Sequence, residues 1–217
     1  MKLKFRSAIF CIALSLLHRF FLLRKVENKK LANSLLLIAH PDDESMFFSP
    51  FLYWSKPFIL CLSDGNFDGK GKIRRQELIN LCKDRKLNYK ILNYIDNSDW
   101  DVDLILYDLV VTCKENRIKQ IVTFDSKGVS GHKNHISCFK AAKKLEKLDI
   151  NKLLRFKYLK SVSLFEKYFA FIRSPNYNLP IFSTFGYGNM NFHKSQLVWF
   201  RYIYIIFSNY MKYNIII

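Results

Sequence analysis

The chain has little glycine, too few acidic side chains to balance its basic ones, and no paired-cysteine motif, and each shortage narrows what it can be. Seven glycines in 217 residues, half of them hydrophobic, argue against disorder on a large scale, because so much apolar surface is buried only in a folded core. The length suits one α/β domain with a short appendage. Five cysteines are present, and Cys11, Cys61, Cys82, Cys113 and Cys138 nowhere form a Cys-x-x-Cys pair. No disulfide framework is expected, and the thiols read as reduced in a cytosol-facing domain. Stretch 63–71 has three glycines but no Walker-type lysine spacing, so it reads as a turn cluster and not a phosphate cradle.

Acidic residues are outnumbered, 18 Asp and Glu against 35 Lys and Arg, for a formal charge of +17. Such a balance favours anionic partners, nucleic acid or an acidic membrane surface. The regularly spaced basic and aromatic platforms of nucleic-acid modules are missing, so no nucleic acid is expected. Part of the charge also fits a compositional bias that fills solvated faces with lysine, which leaves charge as support only.

Residues 1–25 stand apart. Lys2, Lys4 and Arg6 precede an apolar run over 7–17, His18 and Arg19 interrupt it, and 20–23 resumes it before Arg24 and Lys25. No small-x-small cleavage site follows, which argues against a removed signal peptide. The run is barely long enough to span a bilayer, so 1–25 is expected to be a membrane anchor or interfacial helix ahead of a domain over 33–217; a packing helix is the plain alternative. Lys and Arg on its C-terminal flank favour a cytoplasmic domain.

What is present centres on residues 35–45, Leu-Leu-Leu-Ile-Ala-His-Pro-Asp-Asp-Glu-Ser. A short apolar run closed by polar residues is the pattern of a strand buried on both faces, with His40, Asp42 and Asp43 at its carboxyl end. Two aspartates before a helix are also ordinary capping chemistry. A second run, 118–124, empties into a glycine-containing loop with His132 and His135, three apart and on one side of a helical turn. Together the two strand ends offer a site for a catalytic zinc with an open position.

Between them, the pattern predicts helices over 44–54, 73–87 and 101–116 and strands over 58–62 and 89–95, the latter closed by an Asx cluster at Asp96 that reads as capping or turn. A helix is expected to continue past His135 to about 148. Stretch 164–172 is aromatic and β-favouring, 175–188 reads as loop, and 197–217 as a core or membrane-surface helix with Arg201 and Lys212 snorkelling. Alternating strand and helix predicts an α/β fold, a Rossmann-like, mostly parallel sheet with helices on both faces.

Four ordered motifs carry a family resemblance: Ala-His-Pro-Asp-Asp-Glu at 39–44, Leu-Ser-Asp-Gly-Asn at 62–66 leading into Gly-Lys-Ile-Arg-Arg-Gln-Glu-Leu at 71–78, Gly-Val-Ser-Gly-His-Lys-Asn-His at 128–135, and His-Lys-Ser-Gln-Leu-Val-Trp-Phe-Arg at 193–201. From about residue 33 onward the chain resembles the LmbE-like zinc deacetylases, and more closely their eukaryotic PIG-L branch, the N-acetylglucosaminyl-phosphatidylinositol de-N-acetylases of glycosylphosphatidylinositol-anchor synthesis. Asn134 stands where bacterial relatives usually carry Asp, and the eukaryotic branch tends to carry Asn.

The resemblance implies hydrolysis of the acetamide of a membrane glycolipid, the second step of anchor synthesis, with Zn2+ or another divalent metal as cofactor. It implies metal ligands His40, Asp43 and His135, and Asp42 as the base. His132, if protonated, would stabilise the oxyanion. Arg74 and His193 would lie at the substrate, with a solvated helix arginine and a satisfied structural histidine as the plain alternatives, and Asp125 would hydrogen-bond a histidine of the metal site. Location at the endoplasmic reticulum membrane, facing the cytoplasm, follows from the same resemblance. A deacetylase of another N-acetylglucosaminide, a noncatalytic basic protein that binds nucleic acid or membrane, and a subunit that keeps the fold without activity are the alternatives.

Overall fold

The computed structural model describes residues 33–169, 179–180 and 183–217, so the segment expected over 1–25 lies outside the described residues. No described helix is long and apolar enough to cross a membrane. Five strands, β1 (Ser34–Ile38), β2 (Phe58–Ser63), β3 (Tyr89–Tyr94), β4 (Gln120–Phe124) and β5 (Arg155–Leu159), form one sheet in the order β3-β2-β1-β4-β5. All four pairings are parallel, so the expected α/β sheet is present. β1 and β4 are buried at every residue, while the edge strands β3 and β5 carry exposed positions, as a parallel sheet covered on its faces requires.

The helices are α1 (Asp43–Met46), α2 (Ser49–Ser55), α3 (Gly71–Arg85), α4 (Val102–Glu115), α5 (Gly128–Gly131), α6 (Lys133–Leu148), α7 (Leu164–Phe169), α8 (Ser183–Met190) and α9 (Trp199–Phe207). α4 and α6 pack against each other, α4 also against β2 and α6 against β1 and β4, while α3 packs against β3, as parallel strands joined by helical crossovers require. Short strands β6 (Leu179–Pro180) and β7 (Tyr213–Asn214) pair antiparallel, and Ile216 bridges back to Leu159.

Several boundaries differ from the sequence expectation, each for a local reason. The helix expected over 44–54 is two helices, because Phe47 and Phe48 turn into the core and Pro50 starts a new first turn. Phe48 packs edge-on against Phe124 at 5.2 Å. The aromatic stretch at 164 is helical, not extended. Ser163 Oγ accepts from the Glu166 N–H (3.2 Å) while the Ser163 N–H donates to the Glu166 carboxylate (3.1 Å), a capping box that overrides β propensity. α8 occupies ground expected to be loop, and Gly186 there admits Met211, whose Cε would lie 2.9 Å from an added Cβ. The C-terminal stretch is not one helix: α9 ends at Phe207, and the chain turns so that Asn214 Nδ2 donates to the Phe47 carbonyl (2.7 Å).

Candidate active site

β1 and β4 lie side by side where the strand order reverses, the place at which an open α/β sheet leaves a crevice at its carboxyl edge. The turn after β1 brings His40 and Asp42 there with Asp43 opening α1, and the segment after β4 brings His132, the N-cap of α6, and His135 in the first turn of that helix. The three imidazoles converge, with ring centroids 4.8 Å apart for His40 and His132, 5.5 Å for His40 and His135, and 4.8 Å for His132 and His135. Asp43 Oδ2 accepts the backbone N–H groups of Ala39 (3.1 Å) and His40 (2.9 Å), which turns Oδ1 to within 3.2 Å of His135 Nε2. Burial alone would raise the Asp43 carboxyl, but His135 and His40 hold it well below the usual carboxylate range.

Hydrogen-bond partners sort the three rings by role. His135 Nδ1 faces the Gly128 carbonyl at 3.0 Å, which only accepts, so that nitrogen carries the hydrogen and Nε2 offers its lone pair beside Asp43. His40 donates from Nε2 to Asp96 Oδ1 at 2.8 Å, leaving Nδ1 toward Asp43 Oδ2 at 3.7 Å. His132 Nδ1 instead accepts the Asn134 N–H at 3.3 Å, so its hydrogen sits on Nε2. Burial, His135 and His40 push His132 down to about 4, and it is neutral at pH 7. As a neutral ring His132 still offers an Nε2–H donor for the oxyanion role expected of it. His40, His132 and His135 lie close enough together to hold one metal ion, and the lone pairs of His40 and His135 with the Asp43 carboxylate beside them form a donor set that suits a divalent metal of zinc's type. Burial opposes charge on His40, but Asp96, Asp43 and Asp42 outweigh it and raise its pKa; a bound cation would neutralise the same negative field.

Asp42 is held apart from this set. Its backbone has φ 114, in the left-handed region, and its N–H donates to Glu44 Oε2 at 3.1 Å. The side chain is buried, and Oδ2 has no hydrogen-bond partner among the described residues. Arg74 lies 3.4 Å from Oδ1 and Arg201 3.7 Å from Oδ2. Burial dominates and raises the Asp42 pKa in spite of both guanidinium groups. A buried carboxyl with an open oxygen and a raised pKa is suited to take and return a proton.

A family model described as PIG-L, GlcNAc-PI de-N-acetylase, matches residues 35–145. N-acetylglucosaminyl-phosphatidylinositol de-N-acetylase of Bos taurus is 34% identical, over 84% of this chain and 82% of its own. The chain belongs to the PIG-L family. The Saccharomyces cerevisiae protein of the same name is also 34% identical, over 82% of this chain and 79% of its own. Solved structures share the fold: N,N'-diacetylchitobiose deacetylase from Pyrococcus horikoshii has a TM-score of 0.57 at 15% identity, covering 84% of this chain and 79% of that one. A conserved protein from Thermus thermophilus has 0.58 at 18%, covering 79% and 83%.

In this PIG-L family chain Arg74, His193 and Asp125 also brace the loops of the site. Arg74 lines the cavity, yet it donates to the Gly65 (2.9 Å) and Pro41 (2.8 Å) carbonyls, bracing two loops beside Asp42. An added Cβ at Gly65 would lie 2.5 Å from that guanidinium carbon. His193 is fully buried, and its Nε2 is 2.6 Å from Glu44 Oε1; it is not among the residues that line the cavity over the histidine cluster. Its place is under the active-site loop, because Glu44 in turn holds the Asp42 backbone. Asp125 reaches sideways to β5's exit, accepting from Ser161 N (2.6 Å) and Oγ (2.5 Å), and touches no site histidine. Ser161 Oγ then accepts the Val129 N–H (2.8 Å), and Asp125 itself accepts the Lys127 N–H at Oδ1 (3.1 Å), so it fixes the start of the histidine loop.

Asp96 is the residue that sequence reasoning passed over. Its strand-end position was visible, but β3 lies two strands from β1 and only the sheet order brings it to His40. Asn134 supports the same corner: its amide donates to the Ser98 carbonyl (2.8 Å) and accepts from the Asn97 N–H (3.1 Å), which an aspartate could not do on both sides. Asp96→Asn is expected to weaken metal binding by about 10- to 100-fold, since the partner that orients a metal-ligating histidine carries effects of this order. Competition with a fluorescent zinc chelator measures it, and an unchanged affinity would remove Asp96 from the site.

The cavity above these residues has a volume of about 640 Å³. Its floor is the histidine and aspartate cluster, and its rim holds Phe67, Trp199, Phe200 and Ile203. These rim residues are exposed, Trp199 at 75%. Tyr202, Ile206 and Phe207 continue the exposed apolar surface along α9.

Proposed function

We propose that this chain hydrolyses N-acetylglucosaminyl-phosphatidylinositol to glucosaminyl-phosphatidylinositol and acetate, with zinc held by His40, Asp43 and His135, at the cytoplasmic face of the endoplasmic reticulum membrane. The observation that carries it is the open Asp42 carboxyl beside two lone-pair imidazoles and the Asp43 carboxylate in one cavity. The relatives' names supply the substrate.

The metal, when bound, supplies Lewis acidity that acidifies water and polarises the acetamide carbonyl. The chain's own residues handle the protons. Asp42 takes one from water as the water oxygen bonds to the acetyl carbon. The His132 Nε2–H donates to the carbonyl oxygen as charge develops there. When the carbon–nitrogen bond breaks, Asp42 returns its proton to the glucosamine nitrogen, and acetate leaves. Arg74 and Arg201 flank Asp42 and bias it toward release of that proton.

The apolar rim supports a membrane setting, since exposed aromatic side chains around a cavity mouth are costly in water and suit the lipid interface. The four described cysteines are unpaired, in keeping with the reducing cytoplasm. Acetate release is measured from the glycolipid in detergent micelles and from free N-acetylglucosamine, with and without chelator. Metal-dependent release from the lipid alone is expected. Equal release from the free sugar would leave a deacetylase of another substrate, and release that survives chelation would overturn the metal site.

A further inference from the structure

The cavity holds three cations, and one of them is unspent. Arg74 is committed to the Gly65 and Pro41 carbonyls and to Asp42, and Arg201 faces Asp42 Oδ2. Lys167 of α7 also lines the cavity, and its ammonium group meets no carboxylate and no hydrogen-bond acceptor among the described residues. It rests instead over the Tyr204 ring, 4.9 Å from the centroid, and 5.4 Å from that of Tyr168. Tyr204 is one turn from Arg201 on α9, so the two cations share one wall of the cavity. Burial and the Arg201 charge both push the Lys167 ammonium down. Asp42 faces the Arg201 charge but no described carboxylate faces Lys167, and a bound anion would remove the cost of holding the second cation there.

The wall that carries them lies between the histidine floor and the apolar rim. Arg201 reaches down to Asp42, while Trp199, Phe200 and Ile203 of the same helix stand at the mouth. In N-acetylglucosaminyl-phosphatidylinositol the chemical groups follow the same order: acetamide, sugar, inositol, phosphodiester, acyl chains. We propose that Lys167, with Arg201, binds the phosphodiester anion of the lipid headgroup, a subsite that rests on the glycolipid reading of the cavity. It sets the depth at which the acetamide meets Asp42 and leaves the acyl chains at the rim. A substrate lacking the phosphate loses this anchor, so discrimination against simple N-acetylglucosaminides resides here and not in the metal ligands.

The test is calorimetric titration of the metal-loaded full chain with glycerophosphoinositol, the acyl-free phosphodiester headgroup, beside inorganic phosphate and myo-inositol. Headgroup binding is expected to exceed that of both controls. Lys167→Met is expected to weaken it at least tenfold, Lys167→Arg to restore it to within about threefold, and Lys140→Met, on the exposed side of α6, to match the parent chain. No headgroup binding, a Lys167→Met affinity equal to the parent's, or equal loss in both Lys167 variants would overturn the subsite. Inorganic phosphate bound as tightly as the headgroup would also overturn it, as the mark of a general anion site. Acetate release, followed in parallel, separates the two readings. Headgroup binding without release keeps the subsite and removes the deacetylase, whereas release with an unchanged Lys167→Met affinity removes the subsite alone.

Discussion

His135→Ala is expected to empty the metal site and, with it, lower acetate release by at least about a thousandfold, while Asp42→Asn is expected to lower kcat by about 10²- to 10⁴-fold with the metal still bound. The two variants separate because the structure gives the residues different surroundings. His135 Nε2 is 3.2 Å from Asp43 Oδ1, its ring is fixed by the Gly128 carbonyl, and it stacks on Phe124 at 4.0 Å. Removing it takes away a ligand held in place from both sides. Asp42 has an open oxygen and two arginine neighbours and needs no metal to be in place. The asparagine keeps its shape and loses its basicity. Metal per chain by plasma mass spectrometry, read beside turnover, decides the matter. Loss of metal from Asp42→Asn would make Asp42 a ligand, and stoichiometric metal in His135→Ala would move the ligand set toward His132.

His193→Ala is expected to cost about 3–5 kcal/mol of folding stability, the range for removing one partner of a buried ion pair. Both members are fully buried, and Glu44 also accepts from Ser45 Oγ (2.6 Å) and the Asp42 N–H (3.1 Å), so the loss leaves a charge without its counterpart beneath the active-site loop. Burial opposes charge on each group, but the pairing wins, lowering Glu44 below its ordinary 4.5 and raising His193 above its ordinary 6.5. The signs set the pH window. The Glu44 contribution is present above 4.5 and lost as pH falls through the folded value, while that of His193 is complete below 6.5 and lost as pH rises through its own. Urea unfolding of the parent chain should be most resistant inside that window, and the difference from His193→Ala should shrink on either side. A variant within about 1 kcal/mol of the parent at pH 6 would show that the pair is not the support described.

The parts of the site legible in the sequence are those whose meaning is local. His40, Asp42 and Asp43 follow an unbroken apolar strand, and His132 and His135 follow another, so the pairing of two strand ends could be read without coordinates. Asp96 could not, because its value lies in a contact made across two intervening strand pairings. Arg201 sits in an apolar run that reads as a surface helix, and its approach to Asp42 depends on how the C-terminal region folds back over the cavity. At His193 a motif position is buried beneath the active-site loop against Glu44, a contact between residues 149 apart that spacing does not show. In the fold, the Ser163 to Glu166 capping box was present in the sequence and outranked by aromatic content. The break at Phe47 and Phe48 reflects tertiary packing that no helical periodicity records.

The left-handed backbone of Asp42 sets chemistry and endurance against each other at a single position. A side chain there forgoes about 1 kcal/mol that glycine would recover, yet glycine would remove the only open carboxyl in the cluster. Relief of the backbone would also leave Arg74 and Arg201 with no carboxylate between them, so the strain, the base and the two cations are kept or lost together.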